Sequence, residues 1–240
     1  MTKVRLYVDH PLGEGQQVPL TRDQAHYLFG VMRLTVGDAV AVFDGRSGEW
    51  RAVVAEAGRK AGVLVCDKLL AEQRNPPDLW LLFAPIKKAR TDFIVEKATE
   101  LGAARIMPVQ TEFTNSERIR QDRLQAHAVE AAEQCGGTFV PEVADLAKLA
   151  DVLTGWDPAR RLYFCDESAL DAPSLDGFKG AGGPAAILIG PEGGFSEAER
   201  TRLKALDFVT PVSLGPRILR ADTAAVAALT LWQAVQGDWT

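Results

Sequence analysis

Cysteine, histidine and methionine are scarce in this chain of 240 residues, with three of each. Cys66, Cys135 and Cys165 are odd in number, far apart and in no CxxC pair. They argue against a disulfide framework and a cysteine-built zinc site, and three buried thiols are expected instead. His10, His26 and His127 are equally dispersed, without HExxH spacing, so no metal is expected. The chain lacks any uncharged apolar run of eighteen residues, and Met1 to His10 lacks the apolar stretch of a secretory signal. No membrane association is expected, and the location is read as cytoplasmic. An excess of positive charge is missing too: the net charge of -5 argues against a protein that coats nucleic acid indiscriminately, while a local basic face stays open.

What is present is the composition of an ordinary globular protein of one or two domains. The first part reads as strands with one early helix. Thr21 and Gln24 have capping-box spacing ahead of Ala25, Leu28, Phe29 and Met32, which predicts a helix from about Thr21 to Arg33. VGDAVAVFDG alternates into a turn at Asp44-Gly45, EWRAVVAEAG returns, and AGVLVCDKLL adds a third strand, a spacing that suggests a small barrel. Pro76-Pro77 breaks helix and strand alike within Glu72 to Asp78, and the domain boundary is placed there, giving domains 1–72 and 73–240. Beyond it strands and helices alternate: LWLLFAP, TDFIVEKATELG, ARIMPVQT, a helix from Arg123 to Gln134, LYFCDE, AAILIG, a helix from Ser196 to Ala205, LDFVTPVSLG and an Ala-rich last helix. This order predicts an α/β layer fold with a mainly parallel sheet.

Two loops stand out. In AAILIGPEGGFSEAE an apolar strand runs straight into Gly190 to Gly194, and Ser196 with Glu199 then opens a helix with a capping box. Glycines at the C-terminal end of such a strand let the backbone approach a small ligand, although a plain strand-to-helix connection has the same look. The loop has neither GxGxxG nor GxxxxGK[ST] spacing, so a dinucleotide fingerprint and a P-loop are both unsupported. In SLGPRILRADTAAVAAL, apolar Ile218 and Leu219 occupy a loop beside Gly215, and Arg220 precedes a helix. Apolar loop residues beside glycine suit an adenine slot. A loop plugged into its own core, with Arg220 solvated, is the other possibility.

Taken together, Gly190 to Gly194 and Leu214 to Ala224 resemble the GPEGG and LGPR-x-LR-x-[DE]-TA motifs of the SPOUT superfamily of knotted methyltransferases, and within it of the bacterial enzymes that methylate N3 of a uridine in 16S ribosomal RNA. The resemblance extends over VRLYV, HYLFGVMR, FDG, KATELG and EAAEQCG, and so over nearly the whole chain. Gly137 stands where the family usually has an arginine, and Asp222 where glutamate is more usual. The resemblance implies an N-terminal PUA-like β-barrel that binds RNA and a C-terminal SPOUT α/β domain with a trefoil knot. It also implies S-adenosyl-L-methionine as cofactor, 16S ribosomal RNA or the small ribosomal subunit as partner, and a homodimer paired through the knotted domain; the last helix, TAAVAALTLWQAV, apolar around most of its circumference, is expected at that interface, burial within one subunit being the alternative. The cofactor-binding residues it implies are Leu188, Ile189, Gly190, Pro191, Glu192 and Gly193 from the first loop, and Leu214, Gly215, Ile218, Leu219, Arg220 and Thr223 from the second. Arg220 is the expected catalytic residue, stabilising the charge that develops as N3 loses its proton. Arg5 and Arg33 are expected at the RNA by family position. The clusters Lys87, Lys88, Arg90 and Arg118, Arg120, Arg123 could meet phosphates or simply be solvated.

Two rivals come from other classes. A non-catalytic RNA-binding assembly factor of the same fold would not bind the cofactor. A nucleotide-binding enzyme using the GPEGG loop for phosphate is disfavoured by the missing P-loop lysine spacing.

Overall fold

The computed structural model describes residues 4–115, 118–168, 176–180 and 182–239. The chain divides into two compact units, Met1–Asn75 with Ala132–Val140, and Pro76–Ala131 with Pro141–Thr240.

The first unit holds β1 (Arg5–Tyr7), β2 (Gln17–Pro19), α1 (Arg22–Ala25), β3 (Ala39–Phe43), β4 (Glu49–Ala57) and β5 (Gly62–Ala71). They form a sheet of order β1-β3-β4-β5-β2, parallel between β1 and β3 and antiparallel elsewhere. Side chains two apart share a face, so Val40 and Val42, Ala52 and Val54, and Leu64 and Cys66 bury together with Leu6 and Val18. Each fully buried valine or leucine contributes about 1.5–3 kcal/mol. The expected small barrel is thus a five-stranded sheet curled over one core, its ladder ending at β1 and β2.

The early helix starts as the sequence predicts, with Thr21 and Gln24 capping each other's backbone N–H groups. It does not continue as an α-helix to Arg33. His26–Val31 winds as a π-helix, with Met32 N–H donating to Tyr27 C=O at 2.9 Å, and Arg33 then takes a left-handed φ of 57°. The wider turn leaves Tyr27, Val31 and Met32 exposed.

The second unit comprises β6 (Leu79–Phe83), α2 (Lys88–Glu100), β7 (Arg105–Gln110), α3 (Gln121–Cys135, whose last turn falls in the first unit), β8 (Glu142–Val143), β9 (Ala147–Lys148), α4 (Leu149–Thr154), β10 (Arg161–Cys165), β11 (Ala185–Ile189), α5 (Glu197–Lys204), β12 (Val209–Val212) and α6 (Ala221–Gln236). Its sheet runs β12-β10-β11-β6-β7-β8, with β9 also on β7, and every pairing is parallel. Parallel sheets are covered on both faces, which explains the unbroken apolar runs of β6 and β11.

Helix α6 buries Ala221, Ala225, Ala228, Leu229 and Trp232, an inward stripe at helical spacing. Buried Gln233 ties it to the end of α2, donating to Leu101 C=O at 2.7 Å. Among the cysteines, Cys66 and Cys165 are buried as expected but Cys135 is exposed, because it sits at the very end of α3 beside Gly136 in a left-handed turn. No helix among the described residues is long and apolar enough to cross a membrane.

Candidate active site

Strands β12, β10 and β11 are adjacent and parallel, so the three segments that follow them emerge on one edge of the sheet. They enclose a cavity of about 460 Å³. Cys165, Asp166 and Glu167 come from the end of β10, Ile189 to Gly194 from that of β11, and Val212 to Leu214 with Gly215, Arg217, Ile218, Leu219 and Arg220 from that of β12. Of the predicted cofactor residues, Ile189, Gly190, Pro191, Glu192, Gly193, Leu214, Gly215, Ile218, Leu219 and Arg220 line it together. Leu188 and Thr223 do not. Leu188 points into the apolar core, since neighbouring strand residues face opposite ways, and Thr223 is exposed on α6.

The segment after β11 is fastened along its length. Phe195 is buried with its ring edge-on to Phe164, centroids 4.9 Å apart, and closes over Gly190, where a Cβ would stand 2.5 Å from the Phe195 ring. Gly194 N–H donates to Pro191 C=O at 2.9 Å in a left-handed turn with φ 71°, and a Cβ on it would collide with the Glu167 carboxylate. At Gly193 an added Cβ would meet Phe113 at 3.3 Å, so that position faces Phe113 rather than open space. Ser196 and Glu199 form the predicted capping box of α5, and Glu199 also accepts from Glu112 N–H at 2.9 Å.

Asp166 and Glu167 were not foreseen as site residues. The buried Asp166 carboxylate lies 2.8 Å from Lys204 Nζ and 3.4 Å from Arg200 Nε, and accepts from Ser168 Oγ at 2.7 Å. Burial pushes its carboxyl up, but hydrogen bonds from Lys204 and Ser168 and the Lys204 charge outweigh this and hold it below the ordinary carboxylate range. Arg200, whose other partners are Glu167 and Glu197, thus fastens α5 to the end of β10. The one sequence signal was that LYFCDE ends in two acids at a strand terminus of the kind the glycine loop also follows.

The segment after β12 is held far less. Gly215, at φ 99°, has open space where a Cβ would be, and its N–H donates to Ser213 Oγ at 3.2 Å. Ile218 is 82% exposed, so the loop is not plugged into its own core. Arg217 and Arg220 reach the cavity and form no ion pair among the described residues.

The residues predicted to meet RNA fall in different places. Arg5 is engaged within the first unit: it pairs with Glu49 at 2.5 Å, donates to the carbonyls of Ala132, Glu133 and Gly137, and stacks over Phe43. Arg90 lies between two carboxylates of the cavity segments, Glu192 at 3.4 Å and Asp222 at 3.7 Å. Arg123 pairs with Asp92, and exposed Arg120 with Asp122 at 2.6 Å. Arg33 and Arg118 are exposed. Exposed Lys87 and Lys88 line a second cavity of about 320 Å³ with Pro85, Ile86, Asn115, Pro191 and Glu192.

A strand-rich unit and a parallel α/β unit with a cavity at its strand ends define a class that the comparisons identify. The family described as RNA methyltransferase domain matches residues 73–233, and that described as RNA methyltransferase PUA domain matches residues 20–65. The ribosomal RNA small subunit methyltransferase E of Synechocystis is 35% identical over 88% of this chain and 71% of its own. A crystal structure of that enzyme from Neisseria gonorrhoeae, bound to S-adenosyl methionine, superposes with a TM-score of 0.84 at 26% identity over 99% of both chains. A methyltransferase from Legionella pneumophila in complex with the same cofactor gives a TM-score of 0.88 at 27% identity over 98% of both. The chain belongs to the ribosomal RNA small subunit methyltransferase E family.

Proposed function

We propose that this protein transfers a methyl group from S-adenosylmethionine to N3 of a uridine in 16S ribosomal RNA. The observation that carries the proposal is the cavity at the ends of β10, β11 and β12, with an unpaired Arg220 at its rim. Its residues fit the cofactor. Gly215 leaves room for a ligand against the backbone, while Ile189, Leu214, Ile218 and Leu219 offer apolar walls to an adenine. The carboxylates of Asp166, Glu167 and Glu192, held in place by Lys204, Arg200 and Arg90, add polar groups to the same wall. The sulfonium, when bound, supplies a methyl group already activated for transfer.

The uridine N3 lies on the pairing edge, so the base must enter unpaired. Arg220 stabilises the negative charge that spreads onto the carbonyl oxygens as the imide proton leaves. Arg33, flanked by exposed Tyr27, Val31, Met32 and Val36, gives the PUA-like unit a cationic and apolar face suited to RNA. The knot implied by the family likeness, a cytoplasmic location and a homodimer belong to the same proposal. For the dimer, α6 leaves Thr223, Ala227, Thr230, Leu231 and Ala234 half-buried or exposed opposite its inward stripe, and sedimentation at twice the chain mass is expected.

Mass spectrometry of ribosomal RNA from cells lacking the protein should show loss of one methylated uridine, restored by the wild-type chain. Arg220→Ala should restore it poorly, with turnover lowered about 100- to 1,000-fold and cofactor affinity nearly intact. Unmodified turnover in Arg220→Ala would remove its catalytic role. Failure of the wild type to bind S-adenosylmethionine would favour an RNA-binding assembly factor.

A further inference from the structure

We propose that the second cavity, lined by Lys87, Lys88 and Asn115, is the subsite that holds a phosphodiester of the RNA beside the target base. The inference rests on the methyltransferase proposal above and adds where the substrate backbone is anchored.

Pro191 and Glu192 line both cavities, so the two share one short stretch of wall. Two residues span at most about 7 Å, so a group held in the second cavity lies next to the first. The two cavities differ in charge. On the cofactor side Asp166, Glu167 and Glu192 are each ion-paired and stand beside Arg217 and Arg220, whereas the second cavity is lined by Lys87 and Lys88, which form no ion pair among the described residues. Its one acid, Glu192, is already engaged by Arg90 at 3.4 Å. Asn115 adds an amide that can donate to a phosphate oxygen. Two mobile point charges and an amide in a concave site of this size match one phosphate with its sugar, and lysines provide charge without reading base identity. The shared Pro191-Glu192 wall would then set the distance between anchored backbone and methyl donor, with Arg90 bracing that wall from the protein side.

The test is the double variant Lys87→Ala with Lys88→Ala, assayed on small ribosomal subunits over a salt series. KM for the RNA should rise roughly tenfold, far more than kcat falls, and the slope of log affinity against log salt should become shallower by about 1 to 2. Calorimetric affinity for S-adenosylmethionine should match the wild type. The Lys→Arg pair should recover most of the loss, and unchanged thermal melting of both variants would show that the effect is not unfolding. An unchanged KM and salt slope would overturn the proposal, as would a site in wild type that inorganic phosphate saturates but RNA oligonucleotides do not compete for. A wild type that binds no cofactor and methylates no RNA would instead sink the methyltransferase reading itself.

Discussion

The segments that follow β11 and β12 line the same cavity, yet the first is fastened every few residues and the second at almost none. Gly190 lies under Phe195, Gly194 against Glu167, Glu192 beside Arg90, and Ser196 and Glu199 close the start of α5. From Leu214 to Leu219 the one hydrogen bond among the described residues runs from Gly215 N–H to Ser213 Oγ, Arg220 C=O accepts only the first helical bond of α6, from Ala224 N–H, and Ile218 is largely in water. Both stretches are glycine-bearing motifs of similar length, but the first is a fixed wall and the second is free to settle onto what the wall holds. Ordering loose residues costs conformational entropy, so the second loop should gain most of its order when the cavity is filled.

Phe195→Ala should break this contrast most severely. Losing a buried ring costs about 3–5 kcal/mol. The same change frees Gly190, so calorimetry should show lost cofactor affinity as well as a lowered melting temperature; a stable variant with normal affinity would show that the wall does not depend on this ring. Asp166→Asn comes next. Because the carboxyl titrates below its ordinary value when folded, its contribution is complete above about pH 4 and vanishes as pH falls through the lower folded value. Denaturant titrations should therefore find the variant weaker by about 1–3 kcal/mol near neutrality and equal to wild type in strong acid. A gap that persists in acid would assign the loss to packing. Ile218→Ala should have the smallest effect on the fold, within about 0.5 kcal/mol, because the side chain is already in water. Its effect should appear only in cofactor affinity, and an affinity equal to wild type would leave the second loop without a closing role.

Local signals made one half of the site legible. An apolar strand, a glycine run and a capping box follow one another within Ala185 to Glu199, so strand, loop and helix could all be placed from neighbouring residues. The acidic end of β10 could not, because Asp166 and Glu167 reach the cavity only through the insertion of β10 between β11 and β12, a pairing that no local pattern encodes. Arg5 illustrates the same limit. Family position placed it at the RNA, whereas within the first unit it donates to the carbonyls of Ala132, Glu133 and Gly137, more than a hundred residues away. Gly137, which departs from the family's arginine, contributes its backbone oxygen there. The π-helical His26–Val31 escaped for a different reason: apolar spacing distinguishes helix from strand, not a five-residue hydrogen bond from a four-residue one.

Arg33 follows that π-helix at φ 57°, a conformation that costs a side-chain-bearing residue about 1–2 kcal/mol and glycine almost nothing. The chain would be more stable with glycine there, so the contact with RNA proposed for Arg33 would be held against a backbone cost. Under that proposal stability and function pull in opposite directions at one residue. Selection for heat resistance alone should replace Arg33 with glycine, and the resulting lineages would be tougher molecules with a poorer hold on their substrate.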